Sequence, residues 1–217
     1  MKTIFVTITI LLISSNFVFG QTKDSSAVKT RDVSLDIGAF YTPFRSTDLF
    51  GLNCDFKVYL LQKFATGFSA SISSKKINAS FQYTVGQPYL YFNEFGWINQ
   101  YDVVQADRIR IGVNLNNGIL ISQLGDNDIK ERYWTKYGYT EKAKTIATDY
   151  LYVLEPGIDL SLKIFSNKHN PDIYFTTKAK YRTAFGNPKF GSQADYNNYY
   201  LGASISIIGF SNFKTKR

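Results

Sequence analysis

A single histidine in 217 residues offers little chemistry to build on. His169 lies in SNKHNP, where Asn and Pro serve the geometry of a turn. Acyl transfer or hydrolysis would need it beside a serine and an acid. Asp126-Asn127-Asp128 with Glu131 is rich in oxygen ligands, yet it lacks the glycine and the terminal glutamate spacing of a calcium loop. It reads as a solvated loop. Cys54 stands alone, so no internal disulfide can form, and on an apolar strand face a free thiol behaves as a small hydrophobe. There is no nucleophile elbow, phosphate loop or paired-cysteine site. These residues predict no enzyme, no cofactor and no metal.

What remains is a set of charges and aromatics, and the elements that carry them are strands. In FGLNCDFKVYLLQKFATGFSASIS, Phe50 to Ser73, one alternate set is Phe50, Leu52, Cys54, Phe56, Val58 and Leu60. The other is Gly51, Asn53, Asp55, Lys57 and Tyr59. The pattern restarts after Gln62-Lys63, with Phe64, Phe68, Ala70 and Ile72 opposite Ala65, Gly67, Ser69, Ser71 and Ser73. A period of two means a strand with one apolar face. The same reading predicts strands at Leu35–Tyr41, Ile77–Val85, Arg108–Ile121, Tyr150–Phe165, Ile173–Tyr181 and Tyr199–Ile207. Asn116-Asn117-Gly118 reads as a bulge in one long strand, with a hairpin turn as the alternative. Glu155-Pro156-Gly157 calls for another bulge, because proline cannot donate to a ladder. Gly86–Gln100 has many aromatics but no dependable period, and Gly125–Thr148 has too few spaced apolar residues for a helix. Both are predicted as connections.

The first twenty residues, MKTIFVTITILLISSNFVFG, have one lysine, an apolar run from Ile4 to Ile13 and a small residue before Gln21. That is the pattern of a secretory signal peptide. Residues 21–33 then read as a flexible lead-in, and 34–213 as one barrel domain. The chain carries 25 basic and 17 acidic residues, a net charge of +8. The charges scatter over strand faces, loops and the KTKR tail, Lys214 to Arg217, with no clustering of the kind nucleic acid requires. No nucleic-acid partner is predicted.

Whether the apolar face meets a core or lipid is decided by the polar face. A solvated exterior would carry long charged side chains; here the polar face is largely Gly, Ser, Asn and Ala. Small residues fit the narrow inside of an eight-stranded barrel. The charges on that face come in both signs. Asp36, Asp55 and Asp159, with Asp107, stand against Lys57, Arg108, Arg110, Lys163, Lys178 and Lys180. Mutual pairing in a closed lumen offsets their desolvation. Strand length agrees with the 9–11 or so tilted residues a membrane strand needs. Tyr41, Phe44, Phe50, Phe64, Tyr83, Tyr181 and Tyr199 suit interfacial girdles. The predicted fold is all-β: an antiparallel up-and-down transmembrane β-barrel of about eight strands.

Three stretches also carry a resemblance. YLYVLEPGIDLSLKI (Tyr150 to Ile164), KAKYRTAFGN (Lys178 to Asn187) and YYLGASISIIGF (Tyr199 to Phe210) resemble a small outer-membrane β-barrel family of Bacteroidota. The resemblance covers the last third of the chain well and the rest by pattern. It implies a fold and an address, the outer membrane, and no chemistry. One departure is the NFKTKR that follows Phe210, where such barrels usually end on an aromatic.

The functional expectation is a non-enzymatic outer-membrane barrel with a structural or loop-mediated role. Its partners are outer-membrane lipid and a candidate protein partner held by the Gly125–Thr148 loop. There Arg132, Tyr133, Trp134, Tyr137 and Tyr139 combine the residue types that binding hot spots use. Up-and-down order from a periplasmic N-terminus puts Thr42–Leu49, Gly125–Thr148 and Ala184–Asn198 outside, and the Gln62 and His169 turns inside. Gly86–Gln100 breaks the usual rule of short turns inside. A soluble periplasmic calyx for an apolar ligand is the first alternative, and a lipid-modifying enzyme the second.

Overall fold

The computed structural model describes residues 32–45, 47–77, 83–167 and 170–209. The expected signal peptide, most of the lead-in, His169 and the KTKR tail lie outside these residues. The strands are β1 (Val33–Phe44), β2 (Thr47–Tyr59), β3 (Phe64–Lys76), β4 (Pro88–Gln105), β5 (Ile109–Thr135), β6 (Gly138–Asn167), β7 (Asn170–Tyr181), β8 (Thr183–Phe185) and β9 (Tyr199–Ile208). One helical turn, α1, spans Gln193–Tyr196. From β1 to β7 each strand pairs antiparallel with the next, β7 pairs with β9, and β1 pairs with β9 from Ser34↔Ile208 to Tyr41↔Leu201. That last pairing closes the ring. The short β8 continues the line of β7 along β6, so the wall has eight strands.

Alternation sorts the side chains. Asp36, Asn53, Asp55, Lys57, Ser69 and Ser71 are buried inside. Ile37, Phe50, Leu52, Phe68 and Ile72 from the same strands are exposed outside, Phe50 at 65% and Ile72 at 51%. An apolar exterior around a charged interior is the arrangement for lipid. It is the reverse of an apolar-lined calyx, so that alternative is withdrawn.

Four expectations about the elements need correction. The fourth wall strand is β4, not Ile77–Val85; Ile77 and Tyr83–Val85 lie in no strand, and 78–82 are outside the described residues. β4 hides its period because both faces are mixed. Asn93 and Asn99 point outward beside Phe95 and Trp97, while Leu90, Phe92 and Ile98 point inward beside Glu94 and Gln100. With β4 in place the turn to β5 is only Ala106–Arg108, and the exception to short inner turns disappears.

Gly125–Thr148 is not a loop: β5 and β6 continue through it, pairing Lys130↔Ala143 up to Thr135↔Gly138. Asn116–Gly118 is one continuous strand without a bulge, paired Asn116↔Glu155 through Gly118↔Val153. Nor does Glu155–Gly157 bulge. The missing N–H of Pro156 falls beside the break between β7 and β8, where the Arg182 amide bonds the Asn198 carbonyl instead.

The apolar core sits at one end, inside the barrel mouth. Phe44, Leu49, Leu90, Phe92, Leu120, Leu124 and Leu151 from the strands pack with Phe190 and Tyr196 of the β8–β9 connection. Phe44 therefore belongs to this plug, not to a girdle. Tyr41, Phe50 and Tyr199 do cluster on the outside, with ring centroids 5.3 and 6.0 Å from Tyr41.

Candidate functional site

Two regions concentrate polar residues: the lumen and the hairpin above it. In the lumen, Lys178 donates to Asp36 at 3.0 Å and to Asp55 at 2.5 Å, and Lys57 donates to Asp36 at 2.9 Å. β1, β2 and β7 thus meet in one ion cluster. Ser34 and Ser69 bond Asp36 and Asp55, Gln100 accepts from Lys57, and Asn114 donates to Asp159. Gly157 is part of this packing, since a Cβ there would meet Lys180 Cγ at 2.6 Å and Asn114 Oδ1 at 2.9 Å. Lys180 lies over the Tyr200 ring at 5.1 Å.

Toward the β4–β5 turn, Arg110 pairs with Asp102 at 3.0 Å and lies over Tyr59 and Tyr174 at 5.0 and 5.7 Å. Lys163 pairs with Asp172 at 2.7 Å, partly exposed. Arg108 and Asp107 stand exposed in that turn and do not enter the lumen. A further cluster lies under the plug. Arg182 holds Glu94 at 2.6 Å and Glu155 at 2.7 Å, and Asn116 donates to both carboxylates at 3.0 and 3.1 Å. Sequence reading missed it because Glu94 sits on the strand whose period is blurred and Arg182 on the strand break.

The mouth is latched from above. Tyr196 donates to Asp149 at 2.7 Å, and Arg45 pairs with Asp195 at 3.0 Å. Burial raises the Asp195 carboxyl, but its bonds to Ser192 and Arg45 outweigh that and hold it below the usual range. Above the lipid-facing band, Asp126 accepts backbone N–H bonds from Gly86, Gln87 and Asp128 at 3.0–3.1 Å. Those bonds lower its pKa from the ordinary value of 3.8.

The hairpin carries the other predicted residues. Six cross-strand pairs run from Lys130↔Ala143 to Thr135↔Gly138. The tip turns through Lys136 and Tyr137 onto Gly138, whose φ of +117° only glycine adopts easily. Trp134 and Tyr139 face each other edge to face at 4.5 Å. They are each 73% exposed, and Tyr137 is 94% exposed. Arg132 bonds Glu141 at 3.0 Å, and the Tyr133 hydroxyl bonds Glu131 at 2.6 Å.

Fold and site together define a closed eight-stranded antiparallel barrel, apolar outside, with its lumen filled by ion pairs and one hairpin standing clear. No protein-family model matches the chain, and no curated protein matches it. Solved structures do. Ail, the attachment invasion locus protein of Yersinia pestis, crystallised with the heparin analogue sucrose octasulfate, is 8% identical with a TM-score of 0.50. The match covers 82% of this chain and 99% of that one. Neisserial surface protein A is 11% identical over 84% of this chain and 98% of that one, TM-score 0.46. The N-terminal β-barrel domain of Pseudomonas aeruginosa OprF is 12% identical over 81% and 97%, TM-score 0.40. These are small outer-membrane barrels, and at such identities the likeness is one of fold.

Proposed function

We propose that this protein is an exported, non-enzymatic outer-membrane barrel that binds partners outside the cell through its β5–β6 hairpin. The observation that carries this is the exposure of Trp134, Tyr137 and Tyr139 on an ordered ribbon beyond the barrel wall. Exposed aromatics with neighbouring Arg are what binding hot spots use. The lumen is occupied by its own side chains and plugged by apolar ones, which favours a surface role over passage of solutes. The N-terminal leader pattern supports export. The motifs resembling the Bacteroidota barrel family fall mainly on β6, β7–β8 and β9 of the wall.

Site-specific labelling tests orientation and address together. In a Cys54→Ala background, a membrane-impermeant maleimide should label Tyr137→Cys on intact cells. Asp107→Cys, in the turn at the other end, should react only after the outer membrane is breached. A Tyr137→Cys that stays unlabelled on intact cells would remove this reading.

A further inference from the structure

We infer that the hairpin takes an acidic polysaccharide presented from outside, and this rests on the outward orientation proposed above. Between Ile129 and Thr145 there are five basic residues, Lys130, Arg132, Lys136, Lys142 and Lys144, and two acidic ones, Glu131 and Glu141. Both acids are already engaged, Glu141 by Arg132 and Glu131 by the Tyr133 hydroxyl. Glu131 keeps its charge beside a neutral hydroxyl, and five bases against two acids still leave a net +3, which suits an anionic ligand.

The aromatics narrow the class. Trp134 and Tyr139 share one face of the ribbon with Lys130 and Arg132, because side chains two apart, and those directly paired across strands, point the same way. A two-stranded ribbon encloses no pocket, so a ligand lies across its face, over the rings and the bases together. Flat rings with negative π faces complement the C–H faces of pyranose rings. Charge beside ring then matches a sugar bearing sulfate or carboxylate groups. Height selects the source. Five steps of about 3.4 Å carry the tip roughly 17 Å beyond Lys130, itself past the last β4 pair, which sets the rings apart from the membrane's own headgroups.

The test uses the full-length barrel refolded in nanodiscs free of glycolipid, with dextran sulfate as the probe. Uncharged dextran and poly-L-glutamate of similar length are the comparators. Dextran sulfate should bind, less tightly as salt rises, and both comparators should bind at least about tenfold more weakly. Trp134→Ala with Tyr139→Ala should weaken dextran sulfate by about tenfold or more. Lys130→Ser with Arg132→Ser, on the face of the rings, should weaken it and flatten the salt dependence. Poly-L-glutamate binding as tightly as dextran sulfate would make the surface a general polyanion site and overturn the inference. So would equal binding by a barrel whose hairpin is replaced by Gly/Ser. Failure of dextran sulfate to bind, with Tyr137→Cys still labelled on intact cells, would overturn the glycan inference and leave the surface role standing.

Discussion

Lys178 is sealed from solvent and bonded to Asp36 and Asp55, from two other strands. Burying an ion is tolerable only while its partners remain, and removing one partner of a buried pair costs about 3–5 kcal/mol. Lys178→Met should lower barrel stability by about that amount in urea unfolding from lipid vesicles. Adding Asp55→Asn should restore part of the loss, because an amide needs no counter-charge. A Lys178→Met barrel as stable as wild type would mean the cluster does not hold charge as described. The alternation of small and charged residues announced such a lumen, and Asp36, Asp55, Lys57 and Lys178 could be named from it. Their pairing partners could not, because contacts between β1, β2 and β7 follow from ring closure across more than a hundred residues.

Elements were legible where one face meets lipid throughout. β1, β2, β3, β7 and β9 keep a clean period of two because their outward side chains lie against lipid along most of their length. β4 did not, since its inner face feeds the apolar plug at one end and the ion clusters at the other. The upper halves of β5 and β6 did not either. A ribbon wet on both faces has no reason to alternate, so it reads as loop while its backbone pairs regularly. Asp126 ties this region to the β3–β4 connection. Its lowered pKa means that the stability it lends is present above 3.8 and lost as pH falls through the depressed folded value. Amide protection at Gly86 and Gln87, corrected for intrinsic exchange, should therefore drop as pH is taken from about 4 toward 2. Asp126→Asn should show weak protection at neutral pH and no such acid step.

The ring itself depends on β1–β9 and on the long β5–β6 ladder, of which only the part below the mouth belongs to the wall. Replacing Ile129–Thr145 by a short Gly/Ser link should leave a barrel that folds and shifts on a gel when heated. If the shortened chain fails to fold, the ribbon is part of the wall and the binding role assigned to it fails. Composition and alternation were enough for an all-β barrel with a lipid face, because the wall strands other than β4 present a largely apolar side to the membrane whatever their neighbours are. The plug, the Arg182 cluster and the projecting hairpin required the closed ring. Each is made of residues far apart in the chain, whose environment is set by height along the barrel, a coordinate that a period of two does not carry.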